Sequence, residues 1–587
     1  MPPNIDKILD RHKRLTDIKA PWLPLYQALA MYVILRKQYF TVDYLKTPFI
    51  LNYVFDSTAV HAANILAASL MGQILPNPYE SFEFVPQVAQ DPSVEDDTYE
   101  FFQTVNQVMA HIMANPDAGL MTAIEECLRD MGIFGIGAVA TDETNDLALP
   151  VRYTSVDAKV MSIDEDQYGR VNTIHLEKLM RVVQIVEKYG YESCSEVVQK
   201  KYDGLDFDAE MKVLQAIEPR RERNPLKLGN LDMPFASVHL ELDQKHPLLE
   251  SGYNENPITV ARFWKNPNEV QGRSPAMSAL ADIRAVNKLV EMFEMAGEMG
   301  LRPPKMISSE DVLGAGKIPW GPDATIPVHY SGRMGTDRIK PIEIIHAVDN
   351  PSWAVERIQN LQANIKEYFM VDYLTDLNNR SRQTLGEADI RNEKGMYITG
   401  SILNRCLVEL LGPILDRTFN ILLSKGFFGV IKGSVQDLRM QAAGIKPRYV
   451  SRDFIRYRMQ GLKGYRLNFI SPAARLMKLE EAKGQQDLLQ VVLQVATVKP
   501  EALDNINFDE YIRRTQRLEG ASSKVMNTPD QVEEIRKQRS QMSQEQQQQQ
   551  AQMVQAHALK LVGAGVKDLA DAGVNAQSVL AGNNPAA

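Results

Sequence analysis

The stretch from Ser274 to Gly300 restricts the possible folds more than any other. Ser274 followed by Pro275 marks a helix start: the hydroxyl accepts from an otherwise unpaired amide, and proline lacks the N–H that would go unpaired at the first helical position. Met277, Leu280, Ile283, Leu289, Phe293 and Ala296 follow at helical spacing, and Gly300, Pro303 and Pro304 end the run. At about 1.5 Å per residue such a helix is roughly 39 Å long. Asn350 and Pro351 open a second helix with Val355, Ile358, Leu361, Ile365 and Phe369 on one face. Between the two, residues 303–350 combine glycines and prolines with short apolar alternations such as ATIPVHY, which predicts a small protruding strand-and-loop module.

The flanking regions read as one α+β framework, mainly helical. Helical spacing runs from Ile5 to Ile18 and again from Trp22 to Leu35, and Val60, Ala63, Leu66 and Leu70 with small neighbours predict a tightly packed internal helix that Pro76 stops. Residues 94–131 are helical, and Gly132, Gly135 and Gly137 turn the chain into a strand. From Val151 the period switches to alternation, with a hairpin turn at Asp164 to Gly169, and ITVARFW is a further strand, so residues 1–265 form one region. Thr384 and Glu387 make a capping box for a helix running toward Gly426, which Pro413 bends because it removes a backbone donor and crowds the preceding turn. From Ser471 the chain is helical, divided by Pro500, Gly520 and Pro529. The run Gln546 to Gln550 is low in complexity but set among helix formers, which favours an exposed helix or coiled coil over disorder, and the last residues are mobile.

Composition removes several function classes. Cys127, Cys194 and Cys406 are widely separated, so neither a disulfide framework nor a cysteine-rich zinc site is available, and a reducing compartment is the default. No run approaches the roughly 20 apolar residues of a membrane span, and the N-terminus lacks an apolar signal core. The net charge of −9 argues against a broad basic nucleic-acid surface, so contact with DNA must be local or weak. Gly316 and Lys317 do not make a phosphate loop, since Asp311 stands where its first glycine belongs and Ile318 replaces the magnesium-binding hydroxyl. The glycines at 132, 135 and 137 do not match the dinucleotide fingerprint. Nine scattered histidines form no metal or triad motif, and Asp164, Glu165 and Asp166 read as a solvated turn rather than a calcium loop. No cofactor, metal site or catalytic residue is expected.

Two polar clusters stand out. Lys432, Arg439, Lys446, Arg448, Arg452, Arg456, Arg458, Lys463 and Arg466 oppose only Asp437 and Asp453, with Tyr449, Phe454, Tyr457 and Tyr465 interleaved. Such a segment either grips nucleic acid or forms an amphipathic strand pair whose basic face meets an acidic neighbouring subunit. Asn378, Asn379, Arg380, Ser381, Arg382 and Gln383 form the second cluster, on a loop between helices, where a plain solvated connection is the competing reading.

The order of these pieces resembles the portal, or head-to-tail connector, proteins of short-tailed bacteriophages over most of the chain. The resemblance is carried by DSTAVHAANILAASLMGQILPNPYESFEF, GIFGIGAVAT, ARFWKNPNEVQGRSPAMSALADIRAVNK, RQTLGEADIRNEKGMYITGSILNRCLVELLGPILDRTFNILLSKG, YRLNFISPAARLMKLEEAKG and INFDEYIRRTQRLEG. It implies a non-enzymatic ring of twelve subunits at one capsid vertex, through which the large terminase drives double-stranded DNA and from which the tail later releases it. Expected partners are further copies of the chain, DNA, terminase, tail adaptor and tail proteins, and the major capsid and scaffolding proteins, with assembly in the host bacterial cytoplasm and no membrane.

On that template residues 1–265 and 386–470 make the wing, 266–299 and 351–369 the stem helices, 300–350 the clip, 370–385 the tunnel loop, 471–527 a helical crown, and 528–587 a glutamine-rich extension with a mobile end. Arg380 and Arg382 would then make transient phosphate contacts, with Asn378, Asn379, Ser381 and Gln383 beside them, and Arg448, Arg452, Arg456, Arg458 and Lys463 are a candidate basic interaction segment. The competing reading from another class is a non-portal virion structural protein, internal or scaffold-like, that assembles through the glutamine-rich coiled coil.

Overall fold

The computed structural model describes residues 5–34, 54–87, 96–224, 229–308, 323–328, 342–344, 352–371, 400–442, 444, 448–470, 488–495, 499, 506–519, 532–542, 544 and 552–554. They fall into two compact units, residues 1–479 and 480–587.

The first unit opens with helices α1 (Ile5–Lys19) and α2 (Leu23–Leu29), joined by a 3-10 turn at Pro21, where helix spacing breaks. Helix α3 (Thr58–Ile74) buries Ala59, Ala62, Ala63, Leu66, Ala67, Leu70 and Ile74, and its small residues let α5 (Leu120–Phe134) pack close. Strand β1 (Phe82–Pro86) and helix α4 (Asp96–Met113) precede α5. The glycines of IFGIGAV have separate tasks. Gly132 stays inside α5 beside Leu66, whereas Gly135 ends the helix at φ 78°, where an added Cβ would lie 2.3 Å from the Gly272 carbonyl oxygen. At Gly137 the same atom would meet the Cys127 carbonyl at 2.2 Å, so α5 lies directly on β2 (Ile136–Glu143).

Strand β2 is the centre of a three-stranded sheet, between β3 (Val151–Val156) and β9 (Ile258–Arg262), both antiparallel to it. A five-stranded antiparallel sheet runs β4 (Met161–Glu165), β5 (Val171–Arg181), β6 (Glu210–Pro219), β7 (Phe235–Glu241), β8 (His246–Tyr253). The expected turn joins β4 to β5, with Gly169 at φ 77°. Adjacent side chains on β6 point to opposite faces: Leu214 packs with Ile8 and Leu9 of α1, while Val213 joins the core of α6 (Val182–Tyr189) and α7 (Glu196–Asp203).

Ser274 caps α8 (Pro275–Leu301) as its sequence requires: its hydroxyl accepts from the Met277 amide at 3.1 Å and donates to the Ile133 carbonyl at 2.6 Å. Helix α8 packs along α9 (Ser352–Tyr368). Both are tied to one point before α3, where Asn287 accepts from the Phe55 and Asp56 amides and Gln362 donates to Asp56 at 2.6 Å. Between the two helices the chain forms a mixed sheet in the order β11 (Thr325–Val328), β10 (Lys305–Ser308), β12 (Ile342–Ile344), the small module read from sequence.

The helix containing Pro413 departs from a simple bend. Residues 400–405 are α-helical, Cys406–Leu411 form a π-helical turn, and α-helix resumes over Gly412–Ser424. Proline has no N–H and crowds the carbonyls one turn back, and the wider turn relieves both, with the Gly412 amide donating to the Leu407 carbonyl. The capping box at Thr384 and Glu387 lies outside the described residues.

The basic segment also differs from the expected strand pair: residues Arg452–Met459 are a helix, and only Tyr465–Phe469, strand β13, is extended, pairing with β1. Phe454 is held by Phe101, Phe102 and Phe419, and Arg458, one helical turn on, stacks over its ring at 5.6 Å.

In the second unit, residues 488–495, Phe508–Glu519 and 532–542 are helical, and Arg536 makes a two-point pair with Asp509 at 2.6 and 2.7 Å. Pro500, Gly520, Pro529 and the run Gln546 to Gln550 lie outside the described residues.

Candidate assembly and nucleic-acid interface

The candidate DNA-facing residues Asn378, Asn379, Arg380, Ser381, Arg382 and Gln383 lie outside the described residues, but the frame that holds them is described. The chain leaves α9 through Phe369, Met370 and Val371, all buried, and re-enters the structure at residues 400–405, where Ile402 and Leu403 are buried. All five side chains belong to the main core. Both ends of the segment are therefore fixed.

The α8–α9 pair changes character along its length. Ala276, Ala279, Leu280, Ile283 and Val286 of the first half of α8 are in the core. Farther along, Met292 and Met295 are 56% and 51% exposed, Phe293 is also exposed, and Trp353 at the start of α9 is 66% exposed. Large apolar side chains gathered on one part of a helix pair mark a surface that another molecule covers.

Within the basic segment the structure separates five candidates into two kinds. Arg458 donates to the Asn420 side chain besides stacking on Phe454 and so supports the fold, and Lys463, though exposed, is already paired with Asp416 at 2.5 Å. Arg448, Arg452 and Arg456 are exposed. Arg452 and Arg456 flank Ile455 and Met459 on one helix face.

One ionic node was not anticipated from sequence. Arg262, 2% exposed, donates to Glu165 at 2.8 Å, to the Gly169 carbonyl at 2.7 Å and to Glu409 at 3.3 Å, while Lys265 meets Glu165 at 2.6 Å. Burial would raise the Glu165 carboxyl, but the bonds from Lys265 and Arg262 outweigh it and hold the group below the usual range. The acidic turn is thus partly structural rather than solvated. A basic residue in the otherwise apolar strand ITVARFW was the available signal.

Among the described residues no group of three potential metal ligands comes together, and no helix is long and apolar enough to cross a membrane. Two of the described histidines brace the five-stranded sheet instead. His175 stacks on His12 with ring centroids 5.6 Å apart and contacts Glu218 at 2.8 Å, and His239 contacts the Tyr189 hydroxyl at 2.9 Å.

The helix pair is thus buried at one end, exposes large apolar side chains toward the end that carries a small sheet, and leads into a segment anchored at both ends in the core. A family model for the bacteriophage head to tail connecting proteins matches residues 5–451, and the chain belongs to that family. It is 25% identical over 545 residues to the probable portal protein of Bordetella phage BPP-1, which covers 90% of each chain. To the portal protein of Salmonella phage epsilon15 it is 24% identical over 500 residues, or 83% of this chain and 82% of the relative. Its function is that of a phage portal, a virion component connecting head and tail.

Proposed function

We propose that the chain forms a twelve-subunit ring at one capsid vertex, a non-enzymatic channel for double-stranded DNA. The large terminase drives the genome in through it, and the tail adaptor and tail proteins later attach there for ejection. Major capsid and scaffolding proteins surround the ring, which assembles in the host bacterial cytoplasm. The carrying observation is the apolar surface at Met292, Phe293, Met295 and Trp353. Helices of this length, repeated side by side around an axis, cover one another's apolar ends and give a stiff wall.

In this reading α8 and α9 are the stem, β10 to β12 belong to the clip, residues 370–385 form the tunnel loop, and the helices of the second unit belong to the crown and its extension. A loop anchored at Val371 and Ile402 can reach inward without loosening the wall. Arg380 and Arg382 make brief phosphate contacts, and the net charge of −9 keeps DNA from being held, since each tight phosphate contact would resist sliding. Arg448, Arg452 and Arg456 form a separate interaction surface.

Negative-stain electron microscopy with mass photometry on the purified chain tests this. A ring with a central channel wide enough for duplex DNA is expected, and a rod without a channel would turn the assignment to the scaffold-like alternative.

A further inference from the structure

The helix Arg452–Met459 is amphipathic in an unusual sense. Its inner face is fixed by Phe454 and Arg458, and its outer face, at spacing i, i+3, i+4, i+7, carries Arg452, Ile455, Arg456 and Met459. These residues and Gln460 line a shallow recess, and Met459 is 83% exposed. Neither Arg452 nor Arg456 makes an ion pair among the described residues. An apolar strip rimmed by two unpaired guanidinium groups calls for a partner that is apolar at its tip and acidic around it.

The same chain carries such a tip. The loop after α7 reads Asp203, Gly204, Leu205, Asp206, Phe207, Asp208. Leu205 is 74% exposed and stands at φ 60°, although Gly204 beside it has the ordinary φ of −76°. Phe207 is also exposed, braced by Tyr202 at 5.2 Å. Asp206 has no ion-pair partner among the described residues, and Asp208 meets only the exposed Arg181 at 3.4 Å. Two other exposed leucines, on connections between strands, have acidic neighbours but suit the recess less: at Leu147, Glu143 is already paired with Lys425 at 3.3 Å, and at Leu231 the adjacent Asp232 accepts from the Asn224 amide.

We propose that the outer face of the Arg452–Met459 helix receives the 203–208 loop of a second copy of this chain, Leu205 and Phe207 lying on Ile455 and Met459 and the aspartates facing Arg452 and Arg456. The argument for a second copy is charge complementarity: on a chain of net charge −9 this basic face is unpaired among the described residues, and the matching acidic tip is present on every other copy. Recess and tip are different patches, so the contact is heterologous. Repeated from copy to copy, such a contact does not stop at a dimer, and in the ring reading its rotation closes. This rests on the ring reading and adds to it a contact outside the α8–α9 pair.

The test is charge reversal in the full-length chain, Arg452→Glu with Arg456→Glu in one variant and Asp206→Lys with Asp208→Lys in another, read by mass photometry across a concentration series. Each variant should raise the concentration needed for assembly at least about tenfold, since like charges are then opposed, and the fourfold variant should recover most of the loss. Leu205→Ser should weaken assembly without altering charge. Circular dichroism confirms that each variant is folded. Assembly unchanged by either reversal, or a fourfold variant no better than the weaker parent, would overturn the contact while leaving the ring intact. A wild-type chain that forms no ring would instead remove the reading beneath it. If the arginine reversal leaves rings unaltered but abolishes binding of a labelled DNA duplex, the recess holds nucleic acid and the proposal fails.

Discussion

Arg262 joins three segments far apart in the chain, since its guanidinium meets Glu165 and the Gly169 carbonyl at the hairpin and Glu409 in the π-helical turn. Arg262→Ala would leave Glu165 to Lys265 alone and Glu409 to the more distant Arg405, and a loss of about 3 kcal/mol in denaturant unfolding is expected, more than for an exposed pair such as Arg181 with Asp208. Histidines give the residue scale its pH dependence. Burial holds His175 below the ordinary imidazole range despite the opposing pull of Glu218, and burial with Lys188 and Lys178 lowers His239 to about 3. The unfolded chain therefore binds protons near pH 6.5 that the folded chain does not, so stability present above that pH is lost as the pH falls toward 3. Melting temperature should drop on acidification below pH 6.5, and His239→Gln should flatten that drop; a wild-type profile flat over this range would refute the assignment. None of this was legible in nine scattered histidines, because a titration shift depends on neighbours brought by the fold.

Elements were legible where their signals are local. Ser274 and Pro275 start α8 by chemistry confined to a few residues, and Ser274→Ala should cost about 1 kcal/mol in thermal unfolding through the lost cap, with a further loss from the bond to Ile133. The helix break at Pro413 was legible, but its form as a π-turn was not, because relief by bending and relief by widening look alike in sequence. Arg452–Met459 misled for a different reason. Arg452, Ile455, Arg456 and Met459 do stand at helical spacing, but the segment is short, and the contacts that hold Phe454 come from Phe101, Phe102 and Phe419, remote in the chain. On α8 and α9, polar replacement of the exposed apolar group, Phe293→Ser with Trp353→Ser, should abolish rings in mass photometry yet leave the melting temperature within a few degrees, because these side chains are not in the core.

For the whole molecule, Arg380→Ala with Arg382→Ala should leave ring assembly intact in electron microscopy and alter DNA packaging or retention, and a collapsed ring would make these arginines structural instead. Truncation before residue 528 should likewise preserve the ring, and a monomeric product would place the glutamine-rich segment at a subunit contact. The sequence by itself determined most of the succession of helices and strands and the small module inserted between two long helices, because caps, turns and periodicities are written in neighbouring residues, and the family followed from the resemblance of whole segments in order. Only the tertiary structure decided that β1 pairs with β13, that Arg262 reaches Glu409, that Val371 and Ile402 lie in one core, and that Arg458 supports the fold and Lys463 is paired while Arg452 and Arg456 face outward. Such pairings span tens to hundreds of residues, and packing selects them by which groups it buries together, a choice that no local pattern of residues records.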